Sequence, residues 1–353
     1  MTTPTRSRGA LILAGGRGER FWPWSTPERP KQLLPLASGG RTLLAATFAR
    51  ATRSVPAESV VVMTAAPLVE ACRRECPGAI VVGEPVGRNT APAIAAAATF
   101  FAPDTAFAVL PSDHAIDDEA AFAADLDRAF EVAERDPLLV TFGIRPTTPD
   151  TGFGYVERGA PLAPRLHRVA RFTEKPDLER AQAYLAGGRH MWNSGMFVWK
   201  RRTFMDALAQ GRPAIADAFE VGSYGPGDEH AFEAMLAARF ADMESVSVDY
   251  AVLEIAANVV VLEASFDWDD LGGWNAWARR QPVDARGNVA WGQAVPVDCD
   301  RCVIVGDGVP VAPMGLSDMV VVTTPNGTLV CRREDTERVR RVTEAVRARQ
   351  GGA

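Results

Sequence analysis

Short apolar runs alternate with stretches of helical spacing over the first 150 residues. Residues 10–14, 60–63, 80–82, 106–110 and 138–142 are nearly unbroken apolar segments, as expected of strands buried on both faces of a sheet. Helical patterns lie between most of them, over 42–53, 68–76, 91–101 and 119–134. This alternation predicts an α/β fold, a Rossmann-like mixed but mostly parallel sheet. In such sheets ligands bind beyond the carboxyl ends of the strands. From about residue 151 the pattern changes. Strand-like pieces at 153–157, 169–174 and 195–199 mix with helical spacing at 178–186, 202–209 and 229–240, which predicts mixed material closing over the first sheet. A polar segment at 282–288 marks a boundary. Beyond it come β runs at 302–305, 319–323 and 329–331, then a tail at 335–349 with Val339, Val342 and Val346 on one helical face. The expected division is therefore a large domain, 1–285, and a small β-rich C-terminal domain, 286–353, ending in a helix. No repeat of fixed period is visible.

Composition narrows the function classes. Hydrophobic residues make up 47% and charged residues 23% of the 353 positions, enough for a sizeable core. The net charge of −6 disfavours a nucleic-acid binder, which needs a broad basic surface. No stretch approaches the roughly 20 apolar residues of a membrane helix, and the polar N-terminus is unlike a secretory signal. A cytoplasmic location is expected by default. Cys72 and Cys76, and Cys299 and Cys302, have spacings that zinc sites use. The first pair falls on a helical pattern and the second lacks a nearby histidine, so packed thiols are expected. The eight tryptophans read mostly as core.

The segment 11–34, LILAGGRGERFWPWSTPERPKQLL, carries the most chemistry. Gly15, Gly16 and Gly18 directly follow a predicted strand, where bare backbone N–H groups can approach phosphate. The GxxxxGK[ST] phosphate loop is absent. The dinucleotide pattern GxGxxG fails at Phe21, which argues against a nicotinamide-dependent oxidoreductase. Instead Arg20 and Lys31 follow the loop, the first suited to bidentate grip of phosphate and the second a compact charge. Pro27 and Pro30 stiffen the approach to Lys31. Asp113 ends another strand-like run, where such sheets place ligand-contacting residues.

This segment resembles the GGxGxR…PK signature of the sugar-1-phosphate nucleotidyltransferases. With Trp22-Pro23 and Pro30-Lys31-Gln32 it is similar to the mannose-1-phosphate guanylyltransferases, or GDP-mannose pyrophosphorylases. Further blocks follow in the family's order: Glu84-Pro85, RNTAP at 88–92, PSDH at 111–114, GIRP at 143–146, GFGY at 152–155, FTEKP at 172–176, WNSGMF at 192–197, SVDY at 247–250 and WDDLGGW at 268–274. One block says little; the series in order is specific. The cupin-like isomerase domain of longer bifunctional relatives has no counterpart, so isomerisation of mannose 6-phosphate is not expected. A catalytically silent relative is disfavoured by the intact charged positions.

The resemblance implies GMP transfer from GTP to mannose 1-phosphate, giving GDP-mannose and pyrophosphate. It assigns Mg²⁺ to Asp113 and Asp270. Asp269 competes with Asp270, and the D-x-G spacing to Gly272 favours Asp270. Mg²⁺ suits one or two carboxylates completed by phosphate oxygens and water. Arg20, Lys31, Asp113 and Asp270 form the expected catalytic set. The nucleotide set is Ala14, Gly15, Gly16, Gly18, Glu84, Arg88, Asn89, Thr90 and Ser112, with Glu84 a candidate acceptor for guanine and Thr90 also a candidate helix N-cap. The sugar-phosphate set is Gly154, Glu174, Lys175, Asn193 and Asp249. His114 is not needed as a base, because a phosphate monoester is already a nucleophile. Another sugar 1-phosphate or base would use the same residue types. The C-terminal segment carries no evident chemistry and is expected to pack on the large domain or in a homodimer.

Overall fold

The computed structural model describes residues 8–16, 18–220 and 222–350; the polar residues 1–7 and Arg17 of the glycine loop lie outside them. The chain forms two compact units. The first comprises residues 1–15, 44–112 and 116–268, and the second residues 16–43, 113–115 and 269–353. The boundary expected at 285/286 lies within the second of these.

The first unit holds strands β1 (Arg8–Ala14), β2 (Val60–Ala65), β3 (Ile80–Glu84), β4 (Ala106–Pro111), β5 (Leu139–Ile144), β6 (Tyr155–Ala163), β7 (Leu166–Thr173), β8 (His190–Lys200) and β9 (Val259–Glu263). They form one sheet of order β3-β2-β1-β4-β8-β5-β9-β7-β6. The block β3-β2-β1-β4 is parallel, and its strands are the apolar runs of the N-terminal half. Its helices are α1 (Leu43–Ala51), α2 (Val69–Glu75), α3 (Thr90–Ala97), α4 (Glu119–Arg135), α5 (Leu178–Gly187), α6 (Arg201–Gly211), α7 (Pro213–Glu220) and α8 (Glu229–Arg239). Helix α3 is buried over 91–97, which its small alanines permit by letting the backbone lie close to the sheet.

The material after residue 151 both covers this sheet, through α6, α7 and α8, whose apolar residues join its core, and, beyond what was expected, extends it. Strand β8 pairs antiparallel with β4 and with β5. Its residues 196–199 are all buried, so it is central rather than peripheral. The run Val259–Glu263, absent from the expected strands, pairs parallel with β5.

The second unit contains a short helix α9 (Trp274–Arg279), a four-stranded sheet of β10 (Val289–Ala294), β11 (Val303–Val311), β12 (Met319–Thr324) and β13 (Gly327–Arg332), and helix α10 (Val339–Gln350). β10, β11 and β12 are parallel, with Val289, Val303 and Val320 stacked in register. These stacked coils are 14 and then 17 residues apart, which is why no fixed period shows in the sequence. Cys299 and Cys302 are buried as free thiols against this stack.

The core of this unit joins its N-terminal and C-terminal pieces. Trp24 is 1% exposed and stacks on Trp274 at 5.8 Å between ring centres. Its indole N–H donates to Asp307 Oδ2 at 2.8 Å. Around it lie Phe21, Leu34, Trp277, Val303, Val305, Val320 and Val322. Deleting so large a buried ring leaves a cavity and removes one of the Asp307 carboxylate's partners, the other being Arg29 at 3.7 Å. Trp24→Ala is expected to lower the unfolding free energy by roughly 3–5 kcal/mol, read by urea denaturation. A loss under about 1 kcal/mol would show that this cluster does not hold the unit together.

Candidate active site

In the second unit the glycine loop is closed onto the segment carrying Lys31. Gly18 sits at φ 60°, and a Cβ there would lie 2.4 Å from Lys31 Cβ and 2.5 Å from Lys31 N. Glycine alone satisfies both the left-handed backbone and the contact. Ser25 Oγ donates to Gly18 O at 2.7 Å, and Gln32 Nε2 to Gly16 O at 3.1 Å. Lys31 opens a 3-10 turn after Pro30 and its side chain is 10% exposed.

The Lys31 ammonium donates to Asp113 Oδ2 at 2.9 Å and to the Asp270 carbonyl. One side chain thus joins the PSDH block to the WDDLGGW block. Burial pushes the Asp113 carboxyl up, but the charges of Lys31 and His114 and the Lys31 hydrogen bond outweigh it. The carboxyl therefore stays ionised below its ordinary range. Leu271, fully buried, is held at φ 46°, a conformation costly for a branched residue. Its packing with Phe21 and Trp274 fixes the turn that presents Asp270. The Asp270 carboxylate oxygens lie 3.2 and 3.5 Å from the Cβ position of Gly272, beside Arg20 Nη1 at 3.3 Å. Arg20 Nη1 also donates to Gly272 O at 3.1 Å.

Gly18, Arg20, Lys31, Asp113 and Asp270 line one cavity of about 410 Å³, together with Glu19, His114 and Arg340. Asp270, not Asp269, faces it. Asp269 is spent on structure: its backbone pairs with Ala115, and its carboxylate accepts from Leu271 N at 2.8 Å and lies 3.3 Å from Arg279.

The remaining nucleotide candidates belong to the first unit. Ala14 ends β1, its carbonyl accepting from Thr64 Oγ1. Glu84 Oε2 lies 3.7 Å from the Cβ position of Gly15. Burial raises the Glu84 carboxyl to about 7. Ser112 is buried and its N–H donates to Leu13 O. Arg88 donates through Nε to Phe240 O at 2.7 Å and through Nη2 to Ala241 O, so its guanidinium braces the end of α8. The N-cap of α3 is Asn89, at φ 65°, whose side chain accepts from Thr90 N. Thr90 is the first helical residue rather than the cap, and its hydroxyl accepts from Val248 N at 2.8 Å.

The sugar-phosphate candidates form their own cluster in the first unit. A Cβ on Gly154 would lie 2.5 Å from Glu174 Oε2, so the missing side chain makes room for that carboxylate. Gly154 O accepts from Asn193 N at 2.8 Å. Asn193 Nδ2 donates to Asp249 Oδ1 at 2.9 Å, and Asn193 Oδ1 accepts from Thr141 Oγ1 at 3.0 Å. Asp249 opens a single π-helical turn, Asp249–Leu253. Lys175 sits at φ 44° with its ammonium 2.9 Å from Glu174 Oε1. That hydrogen bond raises the Lys175 pKa, keeping it charged.

Sequence reasoning missed Thr141, Glu19 and Arg340. A hydroxyl inside an apolar strand run was the signal for Thr141. Glu19 stood inside the signature as a variable position. Arg340 lay among many arginines of the tail helix, with nothing local to single it out.

Cations, two carboxylates and glycine backbone around one cavity define a site for polyanions, the equipment of phosphoryl and nucleotidyl transfer. The chain belongs to the nucleotidyl transferase family, whose model matches residues 9–286; residues 292–346 match the MannoseP isomerase/GMP-like beta-helix domain. It is 40% identical to the xanthan biosynthesis protein XanB of Xanthomonas campestris pv. campestris (strain B100), over 96% of this chain and 73% of that protein. It is 38% identical to the mannose-1-phosphate guanylyltransferase of Klebsiella pneumoniae, over 96% of this chain and 74% of that one. A crystal structure described as mannose-1-phosphate geranyltransferase from Thermus thermophilus superposes with a TM-score of 0.86 at 33% identity, covering 97% of this chain and 99% of that one.

Enzymes of this family act with a divalent metal ion. The donors present fit one: Asp113 and Asp270 offer hard oxygen ligands lining one cavity. Two carboxylates would leave coordination positions of such an ion for water and phosphate oxygens. Among the described residues no helix is long and apolar enough to cross a membrane.

Burial, and next the charge of Glu174, push the Asp249 carboxyl up to about 6, from 3.8. Between those pH values the unfolded chain releases a proton that the folded chain retains. Stability is therefore lost as pH rises through this window, and the loss persists above it. Asp249→Asn is expected to raise the unfolding free energy at pH 8 by roughly 1–3 kcal/mol and to give no gain near pH 3.5. Urea titrations at both pH values check this; a destabilised variant at pH 8 would show that the buried charge is not the cost.

Proposed function

We propose that this chain transfers GMP from GTP to α-D-mannose 1-phosphate, giving GDP-mannose and pyrophosphate. The reading is carried by Lys31, whose ammonium holds the Asp113 carboxylate and the Asp270 backbone in the cavity that Arg20 also lines. The names and coverage of the relatives support it. A phosphate oxygen of mannose 1-phosphate forms a bond to the α-phosphorus of GTP, as the bond from that phosphorus to the bridging oxygen of the β-phosphate breaks. Pyrophosphate departs with that oxygen, and no covalent enzyme intermediate is needed.

Each residue set has one task in this scheme. The backbone of Gly15, Gly16 and Gly18 lies along the phosphates, and Arg20 and Lys31 offset charge gathering on the α-phosphoryl group and the leaving group. Losing one such charged contact costs on the order of 3 kcal/mol, about a hundredfold in rate. Asp113 and Asp270 would hold Mg²⁺, which when bound neutralises phosphate charge and helps align the reactants. Glu84, ionised, accepts from guanine N1–H and its exocyclic amine, while Asn89, Thr90 and Ser112 shape the nucleotide side. Lys175 binds the sugar's phosphate; Glu174, Asn193 and Asp249 accept from its hydroxyls. The catalytic segment is taken as 1–285, with 286–353 as a supporting domain, in a cytoplasmic enzyme.

Asp113→Asn keeps an oxygen acceptor for Lys31 while removing the charge. Turnover is expected to fall at least ~1,000-fold, measured as pyrophosphate release with Mg²⁺, with a single cooperative urea transition retained at a lower midpoint because Lys31 loses its countercharge. Near-normal activity would remove the two-carboxylate arrangement. Lys175→Ala is expected to raise KM for mannose 1-phosphate roughly tenfold or more and that for GTP much less. Equal effects on both would take Lys175 out of the sugar-phosphate site. Running the wild-type enzyme against a panel of sugar 1-phosphates and nucleoside triphosphates tests the substrate pair itself. Faster turnover of another pair would replace it.

A further inference from the structure

We propose that Arg340, on the C-terminal helix α10, is a phosphate-binding residue of the active site, gripping the β- and γ-phosphates of the nucleotide and the pyrophosphate they become. This rests on the functional reading above and extends the site to a segment with no assigned chemistry. Arg340 lines the same cavity as Arg20, Lys31, Asp113 and Asp270, and its neighbours there are those assigned to the triphosphate.

Its position is set by a clamp on the glycine loop. Glu19 stands between Gly18 and Arg20, and its side chain is 14% exposed. Its two carboxylate oxygens are taken by two arginines of α10: Arg347 Nη1 at 2.6 Å and Arg340 Nε at 3.2 Å. Thr343 Oγ1 donates to Glu19 O at 3.3 Å. Positions 340, 343 and 347 are spaced by three and four residues, so one face of the helix makes all three contacts. Arg340 Nε also lies 3.5 Å from Glu344. Nη1 and Nη2 of Arg340 make no hydrogen bond among the described residues. A guanidinium anchored through Nε, with that terminal pair to offer, matches the geometry of two phosphate oxygens.

Charge points the same way. Within the cavity Lys31 is already matched to Asp113, and Arg20 donates to the Gly272 carbonyl and lies 3.7 Å from Glu337. A departing pyrophosphate gathers negative charge as its bond breaks, and Arg340 supplies a second guanidinium beside Arg20 to receive it.

The test uses Arg340→Ala and Arg340→Lys in the full chain, with Arg349→Ala as a control that removes one charge from the same helix. Initial rates are measured in both directions with Mg²⁺, and binding of inorganic pyrophosphate by calorimetry. In Arg340→Ala, KM for GTP and for pyrophosphate and the pyrophosphate Kd are expected to rise roughly tenfold or more. KM for mannose 1-phosphate should stay within about twofold and the urea midpoint should not move. Lysine should restore part of the loss, and Arg349→Ala should leave all values at wild type. Unchanged pyrophosphate affinity in Arg340→Ala overturns the proposal, as does an equal loss of pyrophosphate affinity in Arg347→Ala, which removes the other arm of the Glu19 clamp and would mean that the loop itself was disturbed. A wild-type enzyme that makes no GDP-mannose refutes the functional reading, while the pyrophosphate titration still decides the role of Arg340.

Discussion

The site depends on keeping one largely buried ammonium in place. Lys31 is satisfied only because the Asp113 carboxylate and the Asp270 carbonyl both meet it. A buried ammonium without those partners would be strongly penalised. Three parts of the chain more than 80 residues apart in sequence are therefore committed to one arrangement. The same ion pair keeps Asp113 ionised against the effect of its burial. The cation proposed for phosphate and the carboxylate proposed for a divalent ion thus stabilise each other.

Several backbone conformations around the charged groups are ones that ordinary packing avoids. Leu271 and Lys175 are non-glycine residues at positive φ, and each lies next to a proposed site carboxylate, Asp270 and Glu174. Gly18 and Gly154 occupy places where a Cβ would collide with Lys31 and with Glu174. Such strain persists when surrounding structure over-determines it. For Leu271 that structure is the aromatic core of Phe21, Trp24 and Trp274. The raised carboxyls of Glu84 and Asp249 are the electrostatic counterpart, acidic groups buried at the expense of stability.

The C-terminal coils take part in this arrangement. Through Trp24 and Asp307 they fasten the segment between the glycine loop and Lys31, and through Arg340, Thr343 and Arg347 they fasten the loop at Glu19. A segment without catalytic motifs thereby controls how rigidly the phosphate loop is held, which is what precise charge placement requires.

The sequence alone determined the parallel block and marked the residues that the fold brings to one cavity. Unbroken apolar runs leave little choice but doubly buried strands, and Gly18, Arg20, Lys31 and Asp113 belong to short blocks whose residue types suit phosphate and cation binding. The spacing before Gly272 favoured Asp270, but only the fold turned Asp269 into a backbone bridge and Asp270 into the cavity, since the adjacent Leu271 is buried among Phe21 and Trp274, residues that no local pattern ties to it. Tertiary structure also decided that β8 would join β4 to β5, that Asn89 rather than Thr90 would cap α3, and that Arg88 would brace α8. These outcomes rest on pairings between residues distant along the chain, which local periodicity does not record. The same holds for Arg340: its place in the cavity follows from a carboxylate more than 300 residues earlier, and no pattern within its own helix could announce it.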